Sequence, residues 1–443
     1  MANTYLTRTA GSTGNRKTFT FSAWIKRSRI SNADATQMLF GTYTDTNNRF
    51  DIGFHNANNF VVKEKQSSTN IDFTTSRLLR DPSAWLNLVV AVDTTQSTES
   101  NRLKIYVNGV QETSFIDSNY PDQNYDTLAN VSGRTYVIGQ EGNNQYYFDG
   151  SMSHVHFVDG TAYPASTFGS TDSVTGEWKI NTSPSITMGT NGFTILKDGN
   201  TITDQSSNSN NFSLGGGTLT NTEDCPSNVF CTLNPLYNQT TSQGVVLSYG
   251  NNKSYYASNS NRSAFGTIAV SSGKYYFEAK NASAEQNMMV GIGDVEWSDI
   301  NGASGYGAYD NPFSVLYYAS GGNKYVNTSN TSYGDSYTNG DIVGIAIDLD
   351  NNFAYFSKNG VWQNSGVPTS GSTGTGGIAI TTGKSYVPSV RMRNGTSIEL
   401  NFGNGYFGTT AISSEGTNAS GIGKFEYDVP AGFTALSTKG LNE

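Results

Sequence analysis

Gly340-Asp341-Ile342-Val343-Gly344-Ile345-Ala346-Ile347-Asp348-Leu349-Asp350, followed closely by Phe353-Ala354-Tyr355-Phe356-Ser357-Lys358-Asn359-Gly360-Val361-Trp362, decides the fold. Apolar residues recur at Val343, Ile345, Ile347 and Leu349, and a period of two over a short run bounded by polar turns means a β-strand. Asn359-Gly360 can take positive φ at both positions, which is the requirement of a type I′ hairpin. The first half of the chain repeats this logic in Trp85-Leu86-Asn87-Leu88-Val89-Val90-Ala91-Val92-Asp93 and Leu103-Lys104-Ile105-Tyr106-Val107-Asn108-Gly109-Val110. Asn-Gly turns are common, so the weight falls on the similar buried strand that precedes each one. Two related β-sandwiches in one chain is the economical inference.

Working outward, residues 1–165 and 240–443 each read as a run of short strands, with Phe19-Thr20-Phe21-Ser22-Ala23-Trp24-Ile25 as another alternating example. Residues 166–239 are polar and rich in Ser, Thr and Asn. They still hold Gly192-Phe193-Thr194-Ile195-Leu196 and Val229-Phe230, which predicts a connecting segment with one or two strands packed on a neighbour. A length of 443 residues favours more than one core, and 14% charged residues against a usual figure of about 25% suits short strands and tight turns.

The net charge of -9 argues against tracking of nucleic-acid phosphates, which relies on clustered Lys and Arg. No apolar run is long enough for a membrane helix, and Met1 to Gly14 lacks the pattern of a secretory leader, so the expectation is a protein soluble as made, without membrane insertion. Cys225 and Cys231 match neither a zinc knuckle nor a redox pair and read as two incidental thiols.

The first region resembles a laminin-G-like, concanavalin A-type jelly roll through Phe21-Ser22-Ala23-Trp24-Ile25-Lys26, Trp85 to Asp93, Ile105-Tyr106-Val107-Asn108-Gly109 and Phe148-Asp149-Gly150. The second is similar to a SPRY domain, with Gly273-Lys274-Tyr275-Tyr276-Phe277-Glu278, Val290-Gly291-Ile292-Gly293, Gly340 to Gln363, Tyr386-Val387-Pro388-Ser389-Val390 and Leu400-Asn401-Phe402-Gly403 in order. The resemblance implies an all-β chain with two concanavalin A-like jelly-roll domains in tandem. This pairing, with Thr232-Leu233-Asn234-Pro235-Leu236 and Val429-Pro430-Ala431-Gly432-Phe433, is similar to virion structural proteins of marine tailed phages. That resemblance implies an outer-surface role as tail fibre, spike or capsid decoration, made in the host cytoplasm, with other virion proteins and further copies of itself as partners.

Catalytic patterns are missing from the sequence. A glucanase on this fold needs two carboxylates placed across a glycosidic bond, and no Glu-x-Asp-x-x-Glu run occurs. The three histidines, His55, His154 and His156, have no Gly-x-Ser-x-Gly elbow beside them. His154 and His156 are two apart on a predicted strand, Met152 to Val158, as a metal pair requires; a packed or solvated strand face is the plainer alternative. Asp348-x-Asp350-x-Asn352 begins like a calcium loop but has Phe353 where Gly is needed, so it reads as a hairpin turn. Gly403-x-Gly405-x-x-Gly408 opens no helix, and Gly383-Lys384-Ser385 has Ile378 where the first glycine of a P-loop is needed, so both read as turns. No cofactor, catalytic residue or metal is assigned.

Aromatic rings beside Asn, Asp and Gly suit sugars, whose C–H faces stack on rings while hydroxyls bond amides and carboxylates. The candidate ligand-binding residues are Tyr146 and Tyr147 in the first sandwich and Trp297, Tyr306 and Tyr309 in the second, with packing of these rings in the sandwich or an interface as the alternative. The expectation is a non-enzymatic virion surface protein that binds a host-surface glycan or other virion proteins. A glycan hydrolase on the same fold, or a bacterial module gripping a peptide with its SPRY loops, are the other readings.

Overall fold

Both Asn-Gly hairpins close as expected. In a computed structural model of the chain, φ is 49° and 79° at Asn108 and Gly109, and 47° and 80° at Asn359 and Gly360. Val107 pairs with Val110 and Lys358 with Val361 across these two-residue turns. The structure describes residues 3–30, 36–55, 58–197, 199, 201–237, 244–295 and 311–443. Among them the regular structure is β-strand with a few single 3-10 turns. The residues divide into two compact units, Met1–Asn221 and Thr222–Glu443.

The first unit is a sandwich of an eight-stranded and a six-stranded sheet among the described residues. Strand Thr18–Arg27 lies in the six-stranded sheet between Gly150–Asp159 and Leu86–Asp93. Its alternate residues Phe19, Phe21, Ala23 and Ile25 enter the core, where they meet Phe40, Phe50, Ile52 and Phe54 of the facing sheet. Phe21 and Phe40 stack with ring centres 5.0 Å apart. Burial of this many large apolar side chains, at about 1.5–3 kcal/mol each, is the term that fixes the register of both sheets.

The other face of Thr18–Arg27 is also buried, which an alternating strand with one solvated face would not show. Residues 160–190 cover it: Phe168, Tyr163, Trp178, Ile186 and Met188 pack on Val89 and Val158 of the six-stranded sheet. Trp178 Nε1 donates to Asn87 Oδ1 at 3.2 Å.

The second unit has the same plan, a nine-stranded sheet facing a six-stranded one. Lys274–Asn281, Ile342–Asp348 and Phe353–Lys358 run side by side in the larger sheet. Its core gathers Phe277, Val290, Tyr317, Ile345, Ile347, Phe356 and Leu400. On the outer side of the larger sheet, Phe425, Val429 and Phe433 pack over Tyr276 and Tyr355.

Packing of each unit extends beyond the expected boundaries at 165 and 240. Phe193–Ile195 extends the six-stranded sheet beside Gly150–Asp159, and Ser213–Gly216 pairs with Tyr5–Thr9 at the edge of the eight-stranded sheet. Phe193, Ile195, Leu196 and Phe212 are members of the first core. Farther on, Cys231 and Leu233 are buried in the second core. The polar segment is thus shared out between the two units, and with Gly169–Thr171 and Trp178–Ile180 it holds four strands rather than one or two among its described residues.

Candidate functional site

The clearest rim site lies on the loop from Gly139 to Asp149 in the first unit. The loop is held at both ends by the backbone: Gly139 N donates to Leu39 O at 2.9 Å, and Phe148 N to Gly139 O at 2.9 Å. Met38 N donates to Tyr146 O at 2.8 Å, tying the loop tip to the sheet. Between these points Arg49 reaches from strand Asn48–Phe54 to Glu141 Oε1, whose second oxygen accepts Asn143 Nδ2 at 2.6 Å.

Tyr146 stands at φ 55°, a backbone setting that turns its ring outward, and it is 42% exposed. Tyr147 is half-buried, with its ring centre 6.0 Å from that of Tyr5. Tyr5 in turn lies against Gly215 and Gly216, where a Cβ would come within 2.2 and 2.8 Å of its ring. Asn144 and Gln145 are exposed beside Tyr146. A ring presented by a fixed backbone and flanked by side-chain amides loses little freedom on binding a hydroxylated ligand.

Below the loop, Arg49 Nε also contacts Asp51 Oδ2 at 3.2 Å. Burial pushes the Asp51 carboxyl up to about 8 against the pull of the guanidinium, with Glu141 adding repulsion. The Glu141 carboxyl is raised as well, again by burial first. Two acids therefore share one cation, and the cluster staples the loop over the sheet.

The other candidates fall out differently. Trp297, Tyr306 and Tyr309 lie outside the described residues. The residues flanking their segment are described: Asn311 Nδ2 donates to Asp294 O at 3.0 Å, and Lys384 lies 3.1 Å from the Asp294 carboxylate. His154 and His156 share the outer face of Gly150–Asp159, with ring centres 6.4 Å apart. A register shift between Ser153 and His156, with His154 at φ 48°, interrupts the regular alternation there. Their Nδ1 atoms meet Ser153 Oγ at 2.7 Å and Thr194 Oγ1 at 2.9 Å.

Asp348 to Asn352 is the hairpin turn expected, with Asn351 N donating to Asp348 Oδ1 at 3.0 Å and Lys274 Nζ at 3.1 Å from the same carboxylate. Gly383, Gly403, Gly405 and Gly408 all have positive φ, as turn residues do. Cys225 and Cys231 are separate thiols.

Sequence reasoning did not single out the buried carboxyls of Asp51, Glu64, Glu141 and Glu278. Besides Asp51, Glu64 accepts Tyr125 Oη at 2.7 Å and Leu128 N at 3.0 Å, and burial lifts it to about 7. Glu278 accepts Glu426 N at 3.0 Å, Tyr427 N at 2.9 Å, Asn401 Nδ2 at 3.1 Å and Tyr276 Oη at 3.2 Å, and burial lifts it to about 7 too. A lone acid inside an apolar strand, as in Phe277-Glu278-Ala279, was the available signal.

Residues 1–166 match the family model of the concanavalin A-like lectin/glucanases superfamily, and residues 274–405 match that of the SPRY domain. The chain carries a concanavalin A-like domain followed by a SPRY domain. Within the chain, 96 residues are 32% identical to the Ran-binding proteins 9/10 homolog of Drosophila melanogaster, a match over 21% of this chain and 10% of that protein. The chain thus spans about a tenth of that relative's length. Among solved structures, the SPRY domain of human HERC1 aligns at 16% identity over 38% of this chain and 96% of its own, with a TM-score of 0.28. A heptameric SAP-like pentraxin from Limulus polyphemus aligns at 16% identity over 44% and 90%, with a TM-score of 0.30. Tyr146, Tyr147 and the Arg49 cluster belong to the concanavalin A-like domain, and Glu278 to the SPRY domain.

Proposed function

We propose that this chain is a non-enzymatic surface protein of a bacteriophage particle, a tail fibre, spike or capsid decoration. Its concanavalin A-like rim binds host-surface glycan, and its SPRY domain attaches to other virion proteins. The observation that carries the reading is Tyr146, an exposed ring on a loop fixed by Met38 and by the Arg49–Glu141 pair, with Asn144 and Gln145 beside it. The virion setting rests on the similarity of the domain pairing and of Thr232–Leu236 and Val429–Phe433 to marine tailed-phage proteins. Single rim sites of this kind are weak, so a homo-oligomer gains from avidity.

Absence of turnover is supported by how the buried carboxyls are used. Those of Glu64 and Glu278 are occupied by donors from their own unit, and Asp51 is 1% exposed beneath Arg49. The test is a glycan array and a host-cell binding assay with labelled full chain, each repeated with Tyr146→Ala. Binding that the variant loses supports the proposal; an intact chain that binds neither glycans nor host cells overturns the glycan part. A second reading, hydrolysis, is favoured by one observation: Asp51 and Glu141 are two acids with raised carboxyl pKa beside the same loop. Release of reducing ends from a polysaccharide, abolished by Asp51→Asn, would establish it.

A further inference from the structure

In the six-stranded sheet of the SPRY unit, Asn323–Val326 and Ser329–Ser332 form the last hairpin, and Ser329–Ser332 is the edge strand among the described residues. We propose that this edge is the seam through which two copies of the chain pair, antiparallel about a twofold axis at Thr331. The seam gives the homo-oligomer proposed above a contact surface. It uses no residue of the Tyr146 loop and does not depend on glycan binding.

The turn fixes which backbone groups face outward. Val326 pairs with Ser329 across Asn327 and Thr328, whose φ values are 49° and 66°, so this is again a two-residue hairpin. The residues that close such a turn exchange both bonds with each other, and bonded and non-bonded pairs then alternate along the ladder. Ser329 and Thr331 therefore point their N–H and C=O groups at Val326 and Lys324, while Asn330 and Ser332 point theirs away from the sheet. All four residues are exposed, and among the described residues no turn or loop bond reaches the outward groups.

The other edges of the large sheets are guarded, by the shortness, charge or bulges that blunt natural edge strands. Phe115–Asn119 carries Asp117 and a register shift, and Ser213–Gly216 meets Tyr5–Thr9 through another. Arg262–Phe265 carries a charge, and Phe265 O is taken by Asn234 N at 2.8 Å. Val110–Gln111, Phe193–Ile195, Val246–Ser248 and Val361–Trp362 run for only two or three residues. Ser329-Asn330-Thr331-Ser332 has four residues in unbroken register, with no charge, proline or bulge.

The strand's own geometry selects its partner. A twofold axis at Thr331 sets Asn330 opposite Ser332 of the partner subunit and Ser332 opposite Asn330 of the partner subunit, so each outward pair exchanges two bonds. Thr331 then faces Thr331 of the partner subunit as a non-bonded pair, with Cα atoms about 4.5 Å apart, a favourable cross-strand match. Lys324 stands one strand back with Nζ 5.7 Å from the centre of the Tyr333 ring, so no like charges meet at the seam. Strand addition by a foreign peptide draws its specificity from side-chain pockets, and this exposed, polar strand offers none. Backbone bonds here replace bonds to water, which leaves the pair weak, with a dissociation constant of about 1 mM, and populated where copies are held side by side.

Disulfide trapping of the full chain tests this, in a Cys225→Ser background that removes the half-buried native thiol. Thr331→Cys should form a covalent dimer in a glutathione redox buffer, because the Cα spacing at the axis suits a disulfide. Asn330→Cys, equally exposed but offset from its own copy along the strand, should be trapped about tenfold more slowly. Adding Asn330→Pro to Thr331→Cys removes an outward N–H that the fold does not use, and should cut trapping about tenfold while the unfolding midpoint stays in place. Equal trapping of Thr331→Cys and Asn330→Cys, or trapping that Asn330→Pro leaves unmoved, would overturn the seam. Sedimentation equilibrium of the wild type, run in parallel, separates two further failures: an oligomer that Thr331→Cys does not trap overturns the seam alone, and a chain that neither traps nor self-associates overturns the homo-oligomer with it.

Discussion

Alanine in place of Gly109 tests the link between the Asn-Gly turn and the cover over the six-stranded sheet. Gly109 has φ 79°, and a Cβ on it would sit 2.3 Å from the nearest ring atom of Trp178. The left-handed backbone alone costs alanine about 1–2 kcal/mol. The indole must also move, which adds about 1–3 kcal/mol for overpacking and about 1 kcal/mol if its bond to Asn87 is lost. Gly133 supplies the control, because its φ is 78° and nothing lies within 4 Å of a Cβ there. Urea unfolding of the full chain, followed by circular dichroism, should show Gly109→Ala less stable than Gly133→Ala by about 2 kcal/mol. In a Trp178→Ala background the difference should vanish. Equal costs for the two glycines, or a difference that survives removal of Trp178, would refute the claim that residues 160–190 seal this face.

Further outcomes follow from the buried carboxyls and the rim. Glu278→Gln places an amide NH2 against donors that now meet a carboxylate oxygen, and should cost the SPRY unit about 1–3 kcal/mol in a urea melt at pH 8. Glu64 and Glu278 have folded-state carboxyls raised to about 7 from 4.5, so the folded chain keeps protons that the unfolded chain releases. Stability should therefore fall as pH rises from about 4.5 to about 7, by at most about 3 kcal/mol per group, and Glu278→Gln should flatten its share of that slope. Tyr146→Ala should weaken glycan binding by about tenfold or more while shifting stability by under about 0.5 kcal/mol, because the ring is exposed. A large loss of stability in that variant would place the ring among packing residues instead.

The parts of the fold that were legible are those whose signal is local. Ile342–Asp348 and Leu86–Asp93 show their pattern within one strand, and the Asn-Gly pairs need no distant partner to define their turn. Ser213–Gly216 was not legible, since a four-residue edge strand with three exposed positions has no period, and its partner Tyr5–Thr9 is some two hundred residues away. Trp178, Ile186 and Met188 cover a sheet from an irregular segment, where no spacing marks them as buried. For the same reason the site was half visible. Tyr146 and Tyr147 stood out by composition, whereas Arg49 and Asp51 of strand Asn48–Phe54 meet Glu141 only once two stretches about ninety residues apart are folded together. The rings of Tyr136, Tyr276, Tyr317, Tyr337, Tyr355 and Tyr386 are fully buried, so much of the tyrosine content serves packing.

The most direct test of a binding role without chemistry is a single incubation of the full chain with purified host-surface polysaccharide, reading retention on the polymer and reducing ends in the same sample. The account predicts retention that Tyr146→Ala abolishes, with reducing ends staying at the level of polymer alone. Rising reducing ends that disappear with Asp51→Asn would contradict it.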